Sequence, residues 1–296
     1  MKIRISSSGL HFFNRISGLN VLFDEINFPS KLWSKAPRHV SIALTNVCDL
    51  TCSYCYTPKN KSMLNYYILI NWLKELDLNG CLGVGFGGGE PTLYPNLIEL
   101  CQYTTENTSL AITLTTHAHR LNSKFVSALL GYIHFIRISM DGVGLTYEFN
   151  RNRSFAIFKE YIKFAQRIAP IGINYLVNSY TFPDLDKAIT IAEDLGASEF
   201  LLLPEQPTLR SNGIDEITKD LLKYWVTNYD GDIPLEVSEY GSEYLPTCNP
   251  CKNELGLYAY AHIDANGILK KTSFDTAGIP INHAGVIAAL NKLKNY

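Results

Sequence analysis

From about residue 38, short apolar runs alternate with longer amphipathic stretches for most of the chain. The segment HVSIAL predicts a strand, followed by a helix over Met63–Leu76 and then the strand LGVGF. A helix after Pro95 leads to AITLTT, and a helix over Ser123–Leu130 leads to FIRISM. A helix across Phe155–Ile168 precedes GINYLV, and one near Asp184–Leu195, ended by Gly196, precedes EFLLL. Strands that alternate with helices of this length imply an α/β fold built on a parallel sheet. The pattern suits an open doubly wound sheet or a partial barrel, and in both the chemistry belongs on loops at the C-terminal ends of strands.

The flanks read differently. Residues 1–36 suggest short strands (KIRIS, LHFFN, NVLFDE) with Gly9 and Gly18 near the breaks and Pro29 and Pro37 punctuating the exit. After about Pro207 the alternation lapses into a helix over Thr218–Tyr229, short β-like pieces (LEVSEY, AYAHID, GILKKTSF) and a last helix near His283–Lys294. The expected organisation is an N-terminal β extension over 1–36, an α/β core over 37–207 and a small α+β appendage over 208–296.

Composition narrows the classes. With 296 residues, 46% of them hydrophobic, the chain can bury a large core without disulfides. A formal charge of −2 argues against a nucleic-acid partner, since that binding is driven by a basic surface releasing counterions. No apolar run approaches the roughly 20 residues that cross a bilayer, so no membrane partner is expected. The basic start MKIRISSSGLHFF lacks the h-region of a signal peptide, and a cytoplasmic location is the expectation. An odd count of seven cysteines in a reducing compartment then points to ligand or core roles, not to a disulfide framework.

Three of the seven fall in CDLTCSYC as Cys48, Cys52 and Cys55, on one loop after the first core strand. Structural zinc usually takes two separated ligand pairs, and no second pair follows within finger distance. Soft thiolates suit an iron–sulfur cluster, and three of them leave one iron with an open coordination position, the mark of a catalytic centre. A zinc knuckle on Cys52 and Cys55 with a distant partner is the alternative. A glycine turn, Gly87-Gly88-Gly89-Glu90-Pro91, ends the second core strand. It lacks the GxxxxGK[ST] of a phosphate loop, but its backbone permits close approach to a ligand and its carboxylate can take hydrogen bonds from an ammonium group.

Together these segments resemble the radical SAM superfamily, whose CxxxCxxC motif is met by Cys48, Cys52 and Cys55, with the aromatic Tyr54 before the third cysteine. Its GGEP motif is met by Gly88, Gly89, Glu90 and Pro91. The resemblance implies a partial (β/α)6 TIM-like barrel, a [4Fe-4S] cluster on the three thiolates and S-adenosylmethionine (SAM) on the open iron. It also implies one-electron cleavage of SAM to a 5′-deoxyadenosyl radical that abstracts hydrogen from substrate, with an external reductant such as flavodoxin or ferredoxin. Gly88, Gly89 and Glu90 would receive the SAM amino group. Ser139 and Asp141, in RISMDG, resemble residues near the SAM ribose, and an ordinary Asp-Gly turn is the alternative.

Arg151 resembles an arginine that pairs with the SAM carboxylate, with Arg153 as its competitor. Asn178 would lie near adenine. The segment Thr115-Thr116-His117-Ala118 stands where relatives read Thr-Asn-Gly, which puts Thr115 at the cofactor pocket. His117 departs from the pattern: it keeps a polar contact there, moves a proton toward substrate as a catalytic residue, or is structural.

The end of the chain resembles a degenerate SPASM/twitch extension. Cys251 precedes Gly267, and Thr272 stands four residues past it where a cysteine is expected, so Cys248 and Cys251 alone remain. They form a second site for an Fe–S cluster if His262, Asp264 or substrate completes it, or a zinc pair, a redox pair or a relic. The first functional expectation is a radical SAM enzyme acting on a peptide or protein side chain, with the N-terminal strands able to pair with a partner strand. The same chemistry on a small metabolite, and a non-catalytic zinc- or cluster-binding module, are the alternatives.

Overall fold

A computed structural model describes residues 1–295. Strands β1 (Lys2–Ser6), β2 (Gly9–Phe13) and β3 (Asn20–Phe23) form a separate three-stranded antiparallel sheet with β2 in the middle. The core then runs β4 (His39–Thr45), α1 (Tyr66–Leu78), β5 (Gly83–Gly88), α2 (Leu97–Asn107), β6 (Ala111–Thr116) and α3 (Ser123–Leu129). It continues with β7 (Phe135–Met140), α4 (Leu145–Arg151), α5 (Phe155–Gln166), β8 (Ile171–Val177), α6 (Leu185–Asp194), β9 (Phe200–Pro204) and α7 (Glu216–Thr227). The last elements are β10 (Leu235–Val237), α8 (Glu239–Ser242), β11 (Tyr260–Ile263), β12 (Ile268–Lys270), β13 (Ile279–Pro280) and α9 (Gly285–Lys294).

Strands β4 to β9 lie side by side in chain order and pair in parallel. A doubly wound sheet reverses its order at a switch point. The absence of any reversal selects barrel-type winding, as the resemblance implied. The barrel is not closed among the described residues, because β9 pairs onward with β10 and β4 pairs onward with β11. The strands after residue 207 thus extend both margins of the core sheet, with β12 and β13 adding antiparallel beyond β11. No helix is long and apolar enough to cross a membrane among the described residues.

The two faces of each strand have different fates. Outward residues such as Val40, Ile42, Leu44, Val84, Phe86, Ile112, Leu114, Ile136 and Ile138 are fully buried under the helices. Each helix answers with an apolar stripe: Leu69, Trp72, Leu73 and Leu76 on α1, and Phe155, Phe158, Ile162 and Ala165 on α5. The inward row is small or polar, with Ser41, Thr113, Thr115, Arg137 and Ser139 only half-buried, so the concave face is a polar trough. Along β5 every inward position (Gly83, Gly85, Gly87) is glycine, in register with His39, Ser41 and Ala43 of β4.

Both ends of the chain are pinned to the core. Glu75 on α1 accepts from the backbone N–H of Val286 (2.6 Å) and Ile287 (3.1 Å), putting a carboxylate at the N-terminus of α9, where the helix dipole favours it. A side chain at Gly285, where φ is +89°, would collide with that carboxylate. Arg15 in turn donates to the carbonyls of Thr105, Thr108 and Leu110 around the end of α2.

Candidate functional site

The loop between β4 and α1 carries the three cysteines as free thiols, with Cys52 buried and Cys48 and Cys55 half-buried. It is seated against the strand ends. The N–H of Gly89 donates to Thr45 O (2.7 Å), and that of Glu90 donates to Val47 O (2.8 Å), so the glycine turn is zipped to the residues just before Cys48. A side chain at Gly89 would strike the Val47 carbonyl, and one at Gly88, where φ is +115°, would strike that of Thr45. Both glycines are therefore required to bring the two loops together. Thr57 Oγ1 donates to Gly88 O at 3.2 Å and closes the far end of the loop.

Glu90 is buried, and its two oxygens are used unequally. Oε1 accepts from Thr92 N (3.1 Å), Thr92 Oγ1 (2.6 Å) and Thr116 Oγ1 (2.8 Å), while Oε2 accepts from His117 N (3.1 Å). His117 is also buried; its Nε2 lies 2.8 Å from Asp49 Oδ1 and 3.3 Å from Glu90 Oε2. The N–H of His119 points at His117 Nδ1 (3.2 Å), so Nδ1 accepts and the ring proton resides on Nε2. Ala118, next to it, takes φ +66° at a position where the resemblance expects glycine. That left-handed backbone costs an L-residue about 1 kcal/mol.

A second knot joins Tyr54, Asp141 and Arg151. Asp141 is buried at the end of β7 and accepts from both the Tyr54 hydroxyl and Arg151 Nε, while Asn150 donates to its carbonyl at 2.9 Å. Burial opposes charge on Arg151, yet the Asp141 carboxylate beside it raises its pKa further above the usual range, with Tyr54 and Cys52 adding to the effect. Burial, and then Asp141, raise the Tyr54 phenol, so it stays a donor. Asp49, Cys52, Arg151 and Arg153 line one cavity of about 270 Å³ beside this knot. Burial raises the Cys48 thiol, and the Glu90 and Asp49 carboxylates raise it further despite a hydrogen bond from Leu50 N (3.4 Å). A bound cation would reverse that balance, as deprotonation on metal binding requires.

Cys48, Asp49 and His117 offer ligand atoms all within 4.8 Å of one another. The three thiols are the soft donor set on this loop, and that softness fits an iron–sulfur cluster.

The expected residues thus gather unevenly. Cys48, Cys52, Cys55, Tyr54, Gly88, Gly89, Glu90, His117, Asp141 and Arg151 converge on the C-terminal rim of β4–β7. Thr115 and Ser139 face the trough from β6 and β7. Asn178 sits past β8, where its Oδ1 accepts from Tyr180 N and Thr181 N and its Nδ2 donates to Glu205 Oε2 at 2.6 Å.

Cys248 is exposed; Cys251 is buried, and its thiol is raised by burial and lowered by the nearby Arg38, which precedes β4. That places Cys251 at the opposite end of β4 from Cys48. Of its expected helpers, His262 bonds Ser41 Oγ (3.3 Å) and Asp264 pairs with Lys270 (2.8 Å). Asp49, Thr116 and Glu205 were not singled out by sequence reasoning. Asp49, directly after Cys48, and Thr116, within the segment compared with Thr-Asn-Gly, had a positional signal; Glu205 had none.

Residues 42–195 match the family model described as the radical SAM superfamily. The chain is 26% identical over 275 residues to an uncharacterized protein of Methanocaldococcus jannaschii, covering 81% of this chain and 94% of that one. It is 36% identical over 112 residues to the PqqA peptide cyclase of Rhodopseudomonas palustris, but that match covers 36% of this chain and 29% of the cyclase. Among solved structures, Streptococcus suis SuiB bound to S-adenosylmethionine superposes with a TM-score of 0.71 at 14% identity, over 92% of this chain and 81% of SuiB.

Proposed function

The chain belongs to the radical SAM superfamily, and from that premise we propose that it modifies a peptide or protein side chain by hydrogen abstraction. A [4Fe-4S] cluster and SAM supply the radical chemistry when bound. Cys48, Cys52 and Cys55 would hold the cluster, with the Leu50 N–H supporting the Cys48 sulfur. Glu90 Oε2 is the carboxylate oxygen with capacity left for the SAM ammonium, since Oε1 already takes three donors. Arg151 keeps a positive charge beside Cys52, suited to the SAM carboxylate. Asp141 and Tyr54 orient that guanidinium. Below the rim, Ser41, Thr113, Thr115 and Ser139 offer hydroxyls to a polar substrate, and an external one-electron donor such as flavodoxin or ferredoxin would reduce the site.

The observation that carries the substrate class is the 36% identity to an enzyme named as a peptide cyclase. Strand β3, an edge of the N-terminal sheet, offers backbone groups to an extended chain, whereas the outer edge of β1 is already met by Ser34 at Ile5. The test is anaerobic reconstitution followed by a dithionite-reduced assay, with peptides that co-purify with the chain and, separately, a metabolite extract. About four irons per chain, 5′-deoxyadenosine and a mass change in a peptide are expected. Product formed from the metabolite extract alone would overturn the peptide assignment.

A further inference from the structure

We infer that His117 is a positioning residue that fixes the spacing between the cysteine loop and the Glu90 carboxylate. The inference rests on the reading of Glu90 as the acceptor of the SAM amino group. Asp49 follows the first cysteine and lies on the loop, while Glu90 lies on the glycine turn. His117 stands between them: its ring Nε2 bonds Asp49 Oδ1 (2.8 Å) and its main-chain N–H donates to Glu90 Oε2 (3.1 Å), with the ring 3.3 Å from that same oxygen.

The ring's own orientation is set from behind. His119 N–H occupies Nδ1, which holds the proton on the front nitrogen. One residue therefore holds Glu90 through its backbone and Asp49 through its ring. On the other partner, Arg120 and Arg153 approach Asp49 Oδ2 at 4.0 and 3.8 Å, and Arg153 also donates to the Asp49 carbonyl at 3.3 Å. Asp49 is thereby anchored from both sides, and movement of the loop relative to Glu90 must break the His117 bond. The ring thus ties the cysteine loop to the residue whose backbone holds the Glu90 carboxylate.

A donor of equal reach should serve, and an apolar side chain of similar size should not. On reconstituted holoprotein, His117→Leu should keep the parent iron content and weaken SAM binding by about tenfold or more, the loss of one charge-assisted hydrogen bond. His117→Gln, whose terminal amide reaches as far, should stay within about threefold of the parent. Asp49→Leu should match His117→Leu, and the double variant should be no worse than either single one, because the two residues share one bond.

Parent-like SAM affinity in His117→Leu overturns the inference, as does failure of His117→Gln to restore affinity or fully additive losses in the double variant. The parent is the control for the underlying reading: if Glu90→Gln binds SAM as the parent does, it is the Glu90 assignment that fails.

Discussion

Arg4, in the first strand of the chain, donates through Nε to Glu254 Oε1 at 2.6 Å across 250 residues of sequence. Both side chains are essentially sealed from solvent, at 0% and 1% exposure. Arg4 also reaches the carbonyls of Gly80 (2.7 Å) and Tyr258 (3.0 Å), so one guanidinium ties the N-terminal sheet, the α1–β5 turn and the C-terminal segment together. Arg4→Met should lower stability by about 3–5 kcal/mol, because Glu254 is left buried with only Arg38 at 3.3 Å. Combining it with Glu254→Met should recover part of the loss. Thermal melts of the single and double variants check this; an unchanged melting temperature for Arg4→Met would refute it.

Cys52 is the most buried of the three loop thiols. Cys52→Ala should remove the bound iron and the formation of 5′-deoxyadenosine together. Iron analysis and product chromatography on the same preparation decide the matter, and surviving 5′-deoxyadenosine would disprove the cluster assignment.

At Glu90, two substitutions separate binding from folding. Glu90→Gln keeps an oxygen for Thr92 and Thr116 and should retain iron while weakening SAM binding about tenfold or more. Glu90→Ala strands the buried donors of Thr92, Thr116 and His117, at about 1–3 kcal/mol for each donor left unsatisfied, and should also melt earlier. Equal melting temperatures for the two variants would contradict this reading.

For Cys248 and Cys251 the expectation is negative. Cys248 is exposed while Cys251 is buried, and the side chains expected to complete their set are engaged elsewhere, His262 with Ser41 and Asp264 with Lys270. The double serine variant should therefore carry as much iron per chain as the parent, and a loss of about half would restore a second cluster.

Acid should destabilise the fold before its carboxylates titrate. Burial, then Lys270, pushes His262 down to about 4, and burial, then Arg15, does the same to His134, from an ordinary value of 6.5. Between pH 4 and 6.5 the unfolded chain binds protons at these rings that the native fold refuses, so stability rises with pH through that window. Melting temperatures should fall steadily from pH 6.5 to 4, and less steeply in His262→Gln. A flat profile would count against neutral buried rings.

The legible part of the molecule was local. The strand–helix alternation, the cysteine spacing and the glycine turn could all be read, because each is set by neighbours within a few residues. Helix α4 escaped notice: it has seven residues, begins after Gly144 at φ +57° without a capping side chain, and buries only Tyr147. The partners of Asn178 in the fold, the backbone of its own turn and Glu205, carried no signal in the sequence. A side chain's chemistry names what it can bond, and only its surroundings name the partner.

By itself, the sequence determined that three cysteines share one loop and that a glycine–glycine–glutamate turn ends the next strand. Tertiary structure alone decided that His117 spans 68 residues to Asp49 and that Glu90 takes three donors on Oε1 but one, the His117 N–H, on Oε2. It also decided that β11 extends the sheet beside β4. Period and spacing are written along the chain and survive without a fold. Which distant groups meet depends on strand order and register, and those are fixed only when the whole apolar face is buried at once.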